Sequence, residues 1–131
     1  DPPATAAPIE SAASALANLS PGLMLPETMS EADLAALGAE NTCQFRLTEV
    51  AFPSFVYDNS GRGAIKINGK LIPVTASASG EYANGELRIR TRILDDEGDA
   101  GLQMQELIVA GPRMKDEFGF WGYTTCGNSE A

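Results

Sequence analysis

A chain of 131 residues is long enough for one domain and too short for two ordinary ones. Its apolar content of 44% and charged content of 21% are those of a globular chain, not of a disordered polymer. A net charge of −9 argues against nucleic-acid partners and anionic membrane surfaces, since such a chain repels phosphate. No apolar run approaches the ~18 residues that a membrane-spanning helix needs, so no transmembrane segment is expected.

The chain opens on Asp1-Pro2-Pro3-Ala4-Thr5-Ala6-Ala7-Pro8 with no initiator Met, which reads as an exported chain after removal of a signal peptide. The same Pro/Ala/Thr stretch has the composition of a lipoprotein tether, with a lipid anchor upstream of Asp1. Residues 1–29 form a Pro/Ala-rich arm, flexible over 1–8 and loosely docked thereafter, with Leu23 and Leu25 as its anchors. Prolines at 2, 3, 8, 21 and 26 forbid a long helix there, although Glu10–Leu19 has room for a short one.

Residues 30–131 then form a single domain. Ser30-Glu31-Ala32-Asp33 has the spacing of a capping box, with Asp in place of Glu or Gln. Leu34 and Leu37 lie three apart on one face, and Gly38 suits a left-handed stop. These features predict a short helix over Glu31–Leu37. It is too short to stand alone, so its leucines must pack on the rest of the domain.

From Cys43 the period switches to two. Phe45 and Leu47 alternate with Gln44, Arg46 and Thr48, and Phe55-Val56-Tyr57 follows a turn at Pro53. Asn68-Gly69 sits between Ile65–Ile67 and Leu71–Val74, the pairing that favours a type I′ hairpin. Pro73 removes a ladder donor and predicts an edge or bulge at that point. A second Asn-Gly, 84–85, leads into Leu87, Ile89 and Ile93, with Arg88, Arg90 and Arg92 on the opposite face. An acidic turn over 95–101 connects to Leu102–Ala110, and Phe118–Cys126 is the last strand. The predicted fold is all-β and mainly antiparallel: a small barrel or sandwich of about seven strands with one short N-terminal helix.

Cys43 precedes the first strand and Cys126 ends the last, so a Cys43–Cys126 disulfide would staple the domain. Closing such a loop stabilises by roughly 4–5 kcal/mol in the chain-entropy description. A disulfide in turn places the protein in the periplasm or outside the cell.

With no histidine, the usual general base and the usual triads are absent. An enzyme would have to work through carboxylates, lysine or tyrosine, and the carboxylate pairs fall mainly in turns. The chain is therefore expected to be a non-enzymatic binding domain with no cofactor and no resident metal. Its partner is an envelope protein or small ligand that the residues do not name.

Several clusters are candidates for the binding site. Asp95, Glu97, Asp99 and Glu106 have the spacing of a calcium loop, but Ala100 stands where the loop needs Gly, so a solvated turn is preferred. Arg88, Arg90 and Arg92 form either an anion-binding strip or, the preferred reading, a face neutralised by acids such as Glu106 on a neighbouring strand. Trp121 and Tyr123 point away from Phe118 and Phe120, and either cover a second layer or line a ligand groove. Phe52-Pro53-Ser54-Phe55 reads as a buried corner in preference to a partner-binding loop.

Ser79-Gly80-Glu81-Tyr82 and Gly98-Asp99-Ala100-Gly101-Leu102, with the bracketing cysteines, resemble the periplasmic lipoprotein inhibitors of c-type lysozyme. That family is an eight-stranded barrel that inserts a Ser-Gly-x-x-Tyr loop and a Lys-x-Gly-Asp-x-Ala loop into the lysozyme cleft. The resemblance implies inhibition of a cell-wall hydrolase, with Ser79 and Tyr82 as contacts. Both motifs here are one residue shorter, and Asp96 stands where the inhibitory Lys would be.

Overall fold

The computed structural model describes residues 5–17, 19–20, 24–39, 42–97, 103–111 and 117–126. Two short helices, α1 (Ala12–Ala15) and α2 (Glu31–Leu37), precede eight strands. These are β1 (Cys43–Arg46), β2 (Phe55–Tyr57), β3 (Arg62–Ile67), β4 (Lys70–Ala78), β5 (Glu81–Asn84), β6 (Leu87–Glu97), β7 (Gln103–Ala110) and β8 (Phe118–Cys126). Each strand pairs antiparallel with the next, and β1 returns to β8 to close a barrel. The architecture is thus a meander barrel, not a sandwich. The strand beyond the expected seven is β5, whose four residues sit between two tight turns and carry one inward apolar side chain, Tyr82.

The period-two pattern translates directly into the interior. Phe45, Phe55, Ile65, Ile67, Ile72, Val74, Leu87, Ile89, Leu107 and Val109 are all buried in one cluster. Removing each large side chain from water contributes about 2 kcal/mol. Eight strands enclose a space just wide enough for side chains to fill, and these residues fill it. Gly122 allows β8 to reach β1, because a Cβ there would collide with the Arg46 carbonyl oxygen and the Phe45 ring. Ile93 departs from the expected core pattern. It lies where β6 runs past the barrel rim and is 56% exposed.

The hairpin turns follow their residues. Asn68 and Gly69 take φ of 57° and 70°, as a type I′ turn requires. At the second Asn-Gly the frame shifts by one: Asn84 pairs with Leu87, leaving Gly85 and Glu86 as the turn. Pro73 lies in β4 before the stretch that β5 covers, since pairing with β5 begins at Thr75. Its missing N–H therefore costs no ladder bond on that side.

The uncovered start of β4 is filled by the N-terminal segment. Leu71 donates to the Pro8 carbonyl at 2.8 Å and accepts from the Glu10 N–H at 3.0 Å, giving a parallel bridge between Ile9 and Leu71. Helix α1 then places Ala12, Ala15 and Leu16, together with Met24, against the barrel interior. The Asn side chains of both Asn-Gly pairs hold α1: Asn68 Nδ2 donates to the Ala15 carbonyl at 3.0 Å, and Asn84 Oδ1 accepts from the Ala12 N–H at 3.4 Å. From Ala7 to Ala15, and again at Glu27 and Met29, the arm is therefore tied down by hydrogen bonds. Its anchors are Ala12, Ala15, Leu16, Met24 and Met29, whereas Leu25 is 50% exposed. Leu23 lies outside the described residues.

Helix α2 forms as its caps predict. Ser30 accepts from the Asp33 N–H, Asp33 accepts from the Ser30 N–H, and Gly38 stops the helix at φ 65°. Leu34, Leu37 and Met29 cover Val56, Ala64 and Leu71, which face outward from β2, β3 and β4. This layer explains why Leu71 and Ile72, adjacent in sequence, are both buried: one lies under the helix and the other inside the barrel.

Asp33 is more than a cap. Its Oδ2 also accepts from Lys66 Nζ of β3 at 2.8 Å, and its Oδ1 accepts from the Ala7 N–H at 2.7 Å. Burial alone would raise the Asp33 pKa. Hydrogen bonds from Lys66 and from the Ala7 and Ser30 amides outweigh it and bring the pKa from 3.8 down to about 2. A carboxyl depressed in this way contributes stability that is fully present above pH 4 to 5 and is lost as pH falls through about 2. Asp33→Asn is expected to destabilise the protein at pH 7 by about 3 kcal/mol, because it strands the Lys66 charge. In urea titrations, the variant should also lose much of the wild-type fall in stability between pH 4.5 and 2; an unchanged acid limb would disprove the assignment.

Candidate functional site

Helix α2 covers the outside of β2–β4, whereas the outer face of β6–β8 carries exposed polar and aromatic side chains. Strand alternation sends Leu87 and Ile89 inward and Arg88, Arg90 and Arg92 outward. The register aligns Arg92 with Glu106 and Glu106 with Trp121, so these residues form a row across three strands. Nη2 and Nε of Arg92 converge on Glu106 Oε1 at 2.6 and 3.0 Å. Those hydrogen bonds hold the Glu106 carboxyl below its ordinary pKa, with the Trp121 indole and the Arg90 charge adding to the effect. Arg90 pairs with Glu117 at 2.6 Å, a partner that the sequence does not single out. Arg88 has no ion-pair partner among the described residues. Two of the three arginines, Arg90 and Arg92, are thus neutralised.

Trp121 is 64% exposed on this face, and Tyr123, two residues on, is half-buried. They stand on the outside of the barrel and line neither of two grooves found among the described residues. The adjacent groove, of about 450 Å³, is bordered by Glu81, Arg88, Arg90, Ile108 and Glu117. A second groove, of about 480 Å³, lies between the end of α2 and β2–β4 and includes Asp58 and Arg62.

The barrel rim opposite α1 separates the other predicted contacts. Ser79 is exposed in the turn from β4 to β5, but Tyr82 is 7% exposed and its ring meets Phe55 edge-on at 5.4 Å. Burial raises the Tyr82 pKa, with Tyr57 and Asp58 adding to the rise. Tyr82 is therefore a core residue and not a surface contact, because β5 alternation turns it inward between Glu81 and Ala83. Residues 98–102, the second motif of the resemblance, lie outside the described residues.

Near this rim the interior becomes polar. Tyr57 and Thr124 hydroxyls meet at 3.0 Å, and Gln105 Nε2 donates to the Tyr57 hydroxyl at 3.3 Å. Gln105 Oε1 is buried without a hydrogen-bond partner among the described residues, as is Ser54 Oγ just before β2. The alternation Gln105-Leu107-Val109 is the sequence signal that puts this glutamine inside, and it was legible once β7 was placed.

The remaining candidates are dispersed or structural. Cys43 and Cys126 form a disulfide across the β1–β8 seam, with a sequence separation of 83. Asp95 and Glu97 fall within β6 instead of a loop, Asp99 is outside the described residues, and Glu106 is held by Arg92. Among the described residues no cluster of three metal-ligating side chains is found. Pro53, Ser54 and Phe55 form a buried corner, with only Phe52 exposed. Among the described residues no helix is long and apolar enough to cross a membrane.

Fold and site together define a disulfide-closed, eight-stranded meander barrel with a filled interior and an exposed Arg/Glu/Trp face. The chain belongs to the family described as Domain of unknown function (DUF6692), whose model matches residues 1–129. No curated protein and no solved structure matches it.

The Arg92–Glu106 pair is partly exposed, so its role is to shape the face more than to hold the fold. Glu106→Gln is expected to cost no more than about 1 kcal/mol in urea unfolding. A loss of several kcal/mol would make the pair a structural element.

Proposed function

We propose that this protein is a non-enzymatic, exported binding domain that presents the outer face of β6–β8 to a protein partner. The observation that carries the reading is Trp121, 64% exposed beside the Arg92–Glu106 row. Tryptophan, tyrosine and arginine are the residues in which interface energy concentrates. Two further features support it. The barrel interior is packed with side chains, which leaves binding to the outside. Among the described residues, the carboxyls whose pKa is displaced, Asp33, Asp58 and Glu106, are all lowered. A general acid needs the opposite shift.

The Cys43–Cys126 disulfide supports an oxidising compartment, periplasmic or extracellular. The partner's chemistry follows from charge. A chain at −9 steers a basic protein toward it, while the paired arginines keep the docking face itself close to neutral.

Immobilised, oxidised domain should retain a basic envelope protein from extract, and Trp121→Ala should weaken that retention at least tenfold with no change in melting temperature. Equal retention by the variant would remove Trp121 from the interface.

A second reading, inhibition of a cell-wall hydrolase such as c-type lysozyme, is favoured by the closed eight-stranded barrel and by the exposed Ser79–Gly80 turn at its rim. Its contact surface would have to do without Tyr82. The expected result is slowed lysis of cell walls by lysozyme with the domain in large molar excess; an unchanged rate disposes of this reading.

A further inference from the structure

β6 is eleven residues long, while its neighbour β5 has only four. Pairing between them ends at Arg90, opposite Glu81. One more bond follows, from the Thr91 N–H to the Gly80 carbonyl at 2.8 Å. Beyond Thr91, the β5 side of β6 has no strand partner among the described residues. The other side remains paired with β7: Ile93 sits opposite Gln105, Glu97 sits opposite Gln103, and Gln103 Nε2 donates to the Leu94 carbonyl at 2.7 Å. The overhang is therefore a held strand with one open edge.

Backbone groups two residues apart along a strand point the same way. Thr91 faces the β5 side, so the N–H and C=O of Ile93 face the open edge, and its side chain is 56% exposed. An unpaired edge with an exposed apolar residue is a template for another strand, and proteins ordinarily guard such edges with charge or a bulge. Both guards are present here. The ladder with β7 shifts register between Ile93 and Glu97, and the sequence after Leu94 runs Asp95-Asp96-Glu97. Three consecutive acids repel a second copy of the same edge, and they repel any other acidic strand. They do not repel a basic one.

We infer that the open edge of β6, from Ile93 onward, takes up an extended, lysine- or arginine-rich segment of the partner protein by strand addition. Main-chain bonds to the Ile93 edge supply the binding, apolar contact with Ile93 sets the register, and the acidic sequence selects for positive charge. The added strand would continue the sheet that carries Arg92, Glu106 and Trp121. This inference rests on the domain being a binding module, but it concerns a different surface from Trp121.

The test uses the full oxidised chain, labelled with ¹⁵N, and two blocked synthetic peptides: one alternating lysine with valine, the other glutamate with valine. The lysine peptide is expected to bind at least tenfold more tightly, to shift the amides from Arg92 to Glu97, and to slow hydrogen exchange at Ile93. Ile93→Pro removes an N–H that β7 does not use, so the variant should keep its melting temperature and lose the peptide. Should that variant fail to fold, the lysine peptide N-methylated at alternate amides serves with the unaltered protein, and binding should fall at least tenfold. Shifts centred on Trp121, undiminished binding of the N-methylated peptide, no binding of the lysine peptide, or protection of Ile93 that grows with protein concentration alone would each overturn the inference. The first of these would leave the Trp121 interface standing, and a failed Trp121→Ala test would leave this edge standing.

Discussion

Closure of eight short strands into a barrel limits everything else the molecule can do. Eight strands leave an interior with room for side chains and little more. Here that room is occupied by the aliphatic residues that alternate along β3, β4, β6 and β7, with Phe45, Phe55 and Tyr82 from the shorter strands. The closing seam is also narrow. β1 contributes only four residues to it, so the approach of β8 at Gly122 and the Cys43–Cys126 bond bear on whether the barrel closes at all. A covalent tie between adjacent strands at the two ends of the domain removes the unfolded states in which the seam is furthest apart. A filled and sealed interior directs function to the outer surface.

The outer surface is divided by the N-terminal third of the chain. One side of the barrel lies under α2, and one end lies under α1 and Met24. Both are too short to be stable helices in isolation. They hold because their polar groups reach the barrel at defined points: Asp33 to Lys66 and Ala7, and Asn68 and Asn84 to α1. Asp33 joins three parts of the chain at one buried carboxylate, and the three donors it accepts from, Lys66 and the Ala7 and Ser30 amides, offset the cost of burying its charge. What this segment does not cover is the outer face of β6–β8 and the overhang of β6. An exposed tryptophan, a ladder of arginine–glutamate pairs and an unpaired strand edge occur together there. The packing of one side and the availability of the other thus have a single cause.

Much of the local structure was legible in residue order. The capping box at Ser30 and Asp33, the Gly38 stop, the type I′ turn at Asn68-Gly69 and the alternation in the long strands all formed as read. Glu106, an acid expected somewhere against the arginine face, meets it at Arg92. The shortfalls have identifiable causes. β5 was missed because four residues with one inward side chain carry no measurable period. Ile93 continues the apolar pattern of β6 beyond the rim, where no interior remains to receive it. The family resemblance makes Tyr82 a partner contact, and the alternation assigns Trp121 to a second layer or a ligand groove; strand register instead turns Tyr82 inward and leaves Trp121 exposed.

The sequence by itself determined which segments become helix, turn or strand and which face of each strand is apolar, because those properties depend on interactions within a few residues. It also placed two cysteines where a staple would enclose the domain. Tertiary structure alone decided that the sheet closes and that Asp33 meets Lys66. It likewise set β6 to outrun β5 and left Trp121 uncovered. Each of these depends on how strands far apart in sequence align, and a shift of one residue in register would exchange inside for outside along a whole strand.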